Sequence, residues 1–385
     1  MTTPPLWLDR GRIPSLDGVR GIAILLVLLS HLHFPYDHLA AVTALKGRAG
    51  FLGVQLFFVL SGFLITTLMI REIQQTGRFQ LVGFYLRRCL RILPAYLAFL
   101  AVLAGLQIAG VWRIDGVNWF ALLTYTVNSL PRAAWQISHV WSLSVEEHFY
   151  LLWPLVVFAL PLARSRWVAF AVIPVVLVVR TWIRVVWPEA TVDLWTITRL
   201  DDLAVGCLLA FAVREEPARA IMQRCLLPGK LAFILGGFVL AQVVCSRAVG
   251  SWVFGPLLPL ALACSNLINS VVLALLLWGV ISRSDAPGIA LLRAPVLEYL
   301  GLISYSLYLW HPLWSKAGLG VVLELVAVFL TAMLSYHLIE CPFLALKPAP
   351  RVPPQPAPKL PATPVSLPSS REEANAEPPL VHSAG

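Results

Sequence analysis

Charged side chains are scarce in this 385-residue sequence, where Asp, Glu, Lys and Arg together make up only 13%. Hydrophobic residues make up 58%, which exceeds the usual share in soluble globular proteins. The composition therefore excludes an ordinary soluble domain and indicates a polytopic membrane protein. The remaining charges are unbalanced, with a formal net charge of +9. Because basic residues gather in the cytoplasmic loops of membrane proteins, this excess does not indicate nucleic-acid binding.

Metal-binding and signal-peptide patterns are also missing. The six cysteines include no CxxC pair and no spacing to histidine that would hold a metal, so we expect neither a metal site nor a permanently bound cofactor. We interpret them as small apolar side chains in helices. The first apolar run lacks the small-residue cleavage site of a signal peptide, and we expect it to remain in the protein.

Long apolar runs predict an all-α membrane protein with about ten transmembrane helices. The predicted spans are residues 18–36, 51–70, 92–112, 141–162, 167–187, 199–213, 231–249, 255–281, 295–315 and 321–344. The run 119–130 is too short to cross untilted, and we interpret it as re-entrant or interfacial. With that assignment the basic loops around Arg164, Arg214 and Arg283 all fall on the cytoplasmic side, as do both termini.

The chain divides into three predicted regions. Residues 1–15 form a short cytoplasmic segment, and residues 16–346 form the transmembrane domain. Residues 347–385 are rich in Pro, Ala and Ser and contain few apolar side chains. Such a segment cannot bury enough surface to fold, so we predict a disordered cytoplasmic tail.

The first predicted span carries two polar residues, Arg20 and His31, with ten residues between them. At a helical rise of about 1.5 Å per residue, His31 lies about 16 Å beyond Arg20, more than halfway through a hydrocarbon core of roughly 30 Å. Ionisable side chains at that depth are costly to bury and tend to be functional. The alternative is an interfacial position, because His33 and His38 follow closely.

A strongly basic segment follows the second span. Arg87, Arg88 and Arg91 would lie close together on one side of a helix, an arrangement that suits bidentate binding of phosphates. The alternative is that they only set the topology. Ser61 and Gly62, within the second span, leave a similar choice between close helix packing and room for a ligand.

The predicted topology places polar residues from distant helices at one depth. Glu146 lies near the start of an inward-running helix, and His311 lies in the outer half of a later span, so both should be level with His31. A neutral imidazole hydrogen-bonded to a carboxylate can act as a general base towards a hydroxyl. We therefore predict that His31 meets Glu146. Incidental interfacial residues are the alternative, with Trp141 and Tyr150 in an aromatic belt.

Six motifs occur in a fixed order along the chain: LDGVRGIA at 16–23, FFVLSGFLI at 57–65, RRCLRILPAY at 87–96, WSLSVE at 141–146, SYSLYLWH at 304–311 and SYHLIE at 335–340. Each is weak alone. As a set they resemble the acyltransferase-3 family of integral membrane O-acyltransferases, and the resemblance runs from residue 16 to about residue 343.

The resemblance implies transfer of an acyl group, usually acetyl, from cytoplasmic acyl-CoA to a hydroxyl of a glycan or related acceptor. It implies His31 as catalytic base or transient acyl carrier, Glu146 as its partner or an acceptor-orienting group, and Arg20 as a support. The other implied contacts are Arg87, Arg88 and Arg91 with the CoA phosphates, Ser61, Gly62 and Phe63 along the pantetheine path, and Trp141, Tyr150 and His311 in the substrate site.

Two other functions fit the same polar residues. A transporter of a glycan or lipid could use them to line a path, and a membrane scaffold could carry them incidentally. A transporter moves its substrate unmodified, whereas the enzyme leaves an ester that mild alkali removes. For the enzyme, the expected partners are acyl-CoA, the hydroxyl acceptor and the bilayer of a bacterial plasma membrane, with no nucleic acid.

Overall fold

The computed structural model of the chain describes residues 14–32, 37–131, 133–188, 190–244, 251, 253–283, 286–315 and 317–348. No strand occurs among these residues, which agrees with the predicted all-α class. Most of the predicted N-terminal segment, the end of the first span and nearly all of the predicted tail lie outside the described residues. The helices are α1 (Pro14–His31), α2 (Ala40–Thr76), α3 (Leu81–Ile108), α4 (Gly116–Leu123), α5 (Trp135–Ser138), α6 (Val140–Ala159), α7 (Leu162–Val186), α8 (Leu200–Ala212), α9 (Glu216–Cys225), α10 (Pro228–Val244), α11 (Leu258–Ser282), α12 (Pro287–Ala290), α13 (Pro295–Leu302), α14 (Ser304–Trp314), α15 (Val321–Ser335) and α16 (Cys341–Ala345).

Six helical segments of the described residues are long and apolar enough to cross a membrane: Pro14–His31, Ala40–Thr76, Leu81–Ile108, Leu162–Val186, Gly255–Ser282 and Val321–Ala345. A seventh results if α9 and α10, which are bent by 75° at a short break, count as one span. These segments indicate a multi-pass membrane protein. The count of ten spans and the orientation of the termini stay predictions.

Two of the predicted spans are short or broken helices. α8 has 13 residues, so it is only about 20 Å long and does not match the hydrocarbon thickness by itself. Residues 295–315 form two helices, α13 with eight residues and α14 with eleven, separated at Ile303. The run 119–130, which we predicted not to cross, contains the end of the eight-residue α4 and a 3₁₀ turn.

Helices α2 and α8 cross at very short range because glycines face backbone on both sides. A Cβ on Gly62 would lie 2.0 Å from the carbonyl oxygen of Leu203, and a Cβ on Gly206 would lie 2.1 Å from that of Val59. Small residues permit this kind of approach between helices in a membrane. The structure therefore supports close packing, rather than room for a ligand, as the role of Gly62.

A buried ionic network fixes α7 and α8 beside this crossing. Arg180 of α7 is 2.5 Å from Asp201 of α8, and Arg199 is 3.1 Å from Asp202. The side chain of Gln55 on α2 donates to Asp202. Each arginine of the network is thus matched by its own carboxylate.

Candidate active site

A cavity of about 600 Å³ lies between α1, α2, α3, α6 and α14. Its polar lining combines six cations with four acids. The cations are Arg20, Arg71, Arg87, Arg88, Arg91 and Lys347, and the acids are Asp17, Glu72, Glu146 and Glu147. The cavity thus has the volume of a small-molecule site and a surplus of positive charge.

The three arginines of α3 line this cavity together, as their helical spacing predicted. Arg87 forms an ion pair with Glu72 at 2.8 Å. The guanidinium of Arg88 lies over the ring of Tyr150, 4.8 Å from its centroid. Planar guanidinium groups held in this way suit bidentate contacts to phosphate.

Lys347 adds a sixth cation that the sequence analysis did not single out. It follows the last described helix and lines the cavity with the arginines. Burial, together with the charges of Arg91 and Arg88, lowers the pKa of Lys347 from its ordinary value to about 8. The signal available in the sequence was only its position just after α16.

Next to the arginines, Ser61 and Glu146 form a polar cluster. The Ser61 hydroxyl donates to Oε1 of Glu146 at 2.7 Å and accepts from the Tyr150 hydroxyl at 3.0 Å. Arg20 reaches the same cavity from α1 and donates to Oγ of Ser304 at 3.0 Å. Four predicted site residues are therefore brought together here: Arg20, Ser61, Glu146 and Tyr150.

His31 lies outside this cluster, at the end of α1. Its ring centroid is 4.6 Å from that of His311 and 5.8 Å from that of Trp135. Nδ1 of His31 lies 2.9 Å from the Val27 carbonyl oxygen. Oγ of Ser30 also lies 2.9 Å from Nδ1 and donates to the same carbonyl, so the tautomer with the proton on Nδ1 fits both contacts and leaves the Nε2 lone pair for a general base.

The predicted shared depth of His31 and Glu146 is wrong. Contacts of Gly50 with Ser30, and of Gly53 with Ala23, show that α2 runs antiparallel to α1. Ser61 and its partner Glu146 are therefore near the depth of Arg20, roughly 16 Å from His31 along the helix.

The prediction failed because the residue level with the histidines comes just before α6 and is not Glu146. His139, seven residues before Glu146, is the residue at the depth of the histidines, because its ring centroid is 5.3 Å from that of His311. Seven residues of helix contribute about 10 Å to the separation in depth between Glu146 and the histidines.

Tyr308 lies between the cavity and these histidines. It lines the cavity, and its ring centroid is 5.6 Å from those of both His139 and His311. Its hydroxyl donates to the carbonyl of His139 at 2.9 Å and lies 2.6 Å from Oγ of Ser142. The sequence analysis did not single out His139 or Tyr308. His139 lies just before the motif that begins at Trp141, and Tyr308 lies inside the motif that ends at His311.

Four predicted substrate-site residues do not line the cavity: His311, which packs against His31, and Gly62, Phe63 and Trp141. Gly62 packs against α8, and Phe63 is fully buried in the apolar contact between α2 and α8. Trp141 packs on Phe58, with ring centroids 6.0 Å apart, and the Arg199 guanidinium lies 5.7 Å from the Trp141 ring. Gly62, Phe63 and Trp141 are each used in packing between helices, and their contact with the substrate stays a prediction.

No group of three or more His, Cys, Asp or Glu side chains that could hold a metal ion is found within the described part of the chain. The functional groups of the site are imidazoles, carboxylates, hydroxyls and guanidinium groups. Arranged in this way, they can bind a phosphorylated molecule at one end and accept a proton from a hydroxyl at the other.

Comparison with known proteins agrees with this class of site. The sequence profile of the acyltransferase-3 family, described as an acyltransferase domain, matches residues 13–337. The chain belongs to this family. No solved structure matches it.

Curated relatives carry related names. The peptidoglycan O-acetyltransferase OatA of Listeria monocytogenes is 27% identical, over 87% of this chain and 56% of its own length. A putative O-acetyltransferase of Staphylococcus aureus is 29% identical, over 86% of this chain and 57% of its own. The putative peptidoglycan O-acetyltransferase YrhL of Bacillus subtilis is 28% identical, over 86% and 54%. The chain thus spans a little over half the length of these relatives.

Proposed function

We propose that this protein is a membrane O-acetyltransferase that moves an acetyl group from acetyl-CoA to a hydroxyl of a glycan. The observation that carries the proposal is the cavity: arginines line one end, and Tyr308, which also lines it, packs against His139 and His311. Relatives named as peptidoglycan O-acetyltransferases make a glycan of the bacterial cell wall the first acceptor to test.

In this proposal the donor enters with its phosphates towards Arg88, Arg91 and Lys347. Hydrogen bonds between charged partners contribute about 1.5–3 kcal/mol each, so several of them account for useful affinity. Arg87 is held by Glu72, which leaves it less available to the donor. The pantetheine arm then lies along Ser61 and Tyr150, which Glu146 orients.

The chemical step is attack of the acceptor hydroxyl on the thioester. Nε2 of His31 takes the hydroxyl proton as the oxygen forms a bond to the carbonyl carbon. The C–S bond then breaks, and the thiolate leaves with the proton that His31 accepted. The products are an O-acetyl ester and free CoA, and His31 returns to its neutral state.

Purified protein, [¹⁴C]acetyl-CoA and soluble glycan strands from peptidoglycan provide the test. We expect thiol release and alkali-labile label in the glycan. His31→Ala should abolish transfer while the Kd for acetyl-CoA changes less than twofold. The double variant Arg88→Ala, Arg91→Ala should raise that Kd at least about 100-fold, because two charge-assisted contacts are lost.

The matched control is Arg219→Ala with Arg224→Ala, which removes two arginines from α9. Neither lines the cavity, so donor affinity should be unchanged. If the Arg88 and Arg91 variant binds acetyl-CoA as tightly as this control does, the donor site is misassigned. If the wild type releases no thiol from acetyl-CoA, the donor itself is wrong.

A further inference from the structure

Three histidines approach one another from separate parts of the chain. His31 ends α1, His139 precedes α6, and His311 belongs to α14. The ring of His311 lies between the other two, with centroid distances of 4.6 Å to His31 and 5.3 Å to His139. Only His31 has a part in the chemistry described above, so the other two need an explanation.

His139 is buried, and apart from a weak contact with the Leu309 carbonyl its ring makes no hydrogen bond of normal geometry. The residue is 4% exposed, and neither Nδ1 nor Nε2 has a partner of normal hydrogen-bonding geometry. His311 is 1% exposed, and its Nδ1 lies 2.7 Å from the Tyr308 carbonyl, whereas its Nε2 has no such partner. Buried polar atoms are nearly always paired, because an unpaired one loses its hydrogen bonds to water without a replacement. Three such atoms in two adjacent rings indicate a missing polar partner.

The chemistry of the two rings specifies that partner. Nε2 of His311 accepts, because its Nδ1 donates to a carbonyl, and His139 has both a donor and an acceptor nitrogen whichever tautomer it adopts. A hydroxyl donates and accepts, so it can satisfy both rings. The cationic groups lining the cavity are near the other end of the site, which argues against a phosphate here. Aromatic rings pack beside the histidines: the ring centroid of Trp135 is 5.8 Å from that of His31, and the ring centroid of Phe99 is 5.8 Å from that of His139.

We propose that His139 and His311 form the acceptor site and bind hydroxyl groups of a sugar next to His31. The proposal rests on the proposed acetyl transfer and names the residues that hold its acceptor. His139 and His311 form hydrogen bonds to the sugar, and neither gains or loses a proton overall. The partly exposed ring of His31 lies where the reacting hydroxyl can be deprotonated.

Two variants of His139 separate acceptor binding from structural support. His139→Phe keeps an aromatic ring and removes both nitrogens, whereas His139→Gln keeps a donor and an acceptor. With glycan strands and acetyl-CoA as substrates, we expect His139→Phe to raise the acceptor KM at least tenfold. The Kd for acetyl-CoA should stay within twofold of the wild-type value. His139→Gln should recover a measurable part of the lost acceptor affinity.

The matched controls are the same two changes at His148, which lies on α6. Its Nδ1 is bonded to Thr196 at 2.7 Å, and it does not line the cavity. These variants should leave the acceptor KM unchanged. If His139→Phe no longer binds acetyl-CoA, it is misfolded, and His139→Gln is used instead. An acceptor KM above the wild-type value then supports the proposal, and an equal value contradicts it.

The inference is overturned if the acceptor KM stays within twofold in the folded His139 variant, because water would then satisfy the nitrogens. It is also overturned if donor and acceptor affinities fall together in the folded His139→Gln variant, as they would for a purely structural residue. If the wild type labels no glycan at all, the proposed function fails and this inference fails with it. If the wild type labels glycan and the His139 variants behave like the wild type, only this inference fails.

Discussion

If acetyl-CoA is the donor, as proposed, Lys347 should give its binding a pH dependence that can be measured. In the free protein, burial and the charges of Arg91 and Arg88 hold the pKa of this lysine at about 8. It is therefore about 90% protonated at pH 7 and about 10% protonated at pH 9. Phosphates bound beside it would raise its pKa again, because a nearby negative charge favours the charged form.

The sign follows from this difference between free and bound states. Since the donor binds the protonated lysine more tightly, the affinity due to Lys347 is complete below pH 8 and is lost as the pH rises through that value. If the bound lysine stays protonated, the Kd for acetyl-CoA rises about tenfold between pH 7 and pH 9. Binding should then take up about 0.9 proton at pH 9 and about 0.1 at pH 7.

Titration calorimetry in two buffers of different ionisation enthalpy measures both quantities. Lys347→Arg is charged at both pH values and should bind equally well at each. Lys347→Ala should bind weakly at both and show no proton uptake from this site. The reasoning is refuted if wild-type affinity is the same at pH 7 and pH 9, or if Lys347→Ala loses affinity with pH as steeply as the wild type.

Two further predictions concern the packing that supports the site. Gly62→Ala places a Cβ 2.0 Å from the backbone of Leu203, so it should destabilise the solubilised protein by about 1–3 kcal/mol, whereas Gly105→Ala meets nothing within 4 Å and should not destabilise. Thermal unfolding compares the two, and equal melting temperatures would contradict the close crossing. Asp201→Ala leaves the fully buried Arg180 without its carboxylate and should cost about 3–5 kcal/mol. Denaturant unfolding measures this loss, and a change under 1 kcal/mol would mean that Arg180 finds another partner.

Local spacing explains what the sequence could predict. Arg87, Arg88 and Arg91 lie near one another on any helix, so their convergence on one cavity needed no knowledge of the fold. The depth of Glu146 did need it, because no capping signal marks the start of α6 and the helix begins beside a buried histidine. The break at Ile303 lies far from both prolines of the predicted span, Pro295 and Pro312, so periodicity gave no sign of it.

Long-range partners were the other limit. The sequence left Gly62 with two roles, and only the position of α8 decides between them. In the same way, Asp201 and Asp202 are adjacent in the sequence, but each forms an ion pair with a different arginine. Such pairings depend on which helices pack against one another, and the amino-acid sequence alone does not give that information.

Helix α6 fixes the spacing between the two halves of the site. Glu146 contacts Ser61 in the cavity, Ser142 lies one turn away beside Tyr308, and His139 lies one turn further, among the histidines. His139 is the N-cap residue directly before α6 and its backbone angles are helical, so its position follows that of the helix. A helix holds Glu146 and His139 about 10 Å apart whatever happens to the loops around them. Donor and acceptor groups carried on separate loops would vary in distance, whereas groups set along one helix keep the precision that a transfer reaction requires.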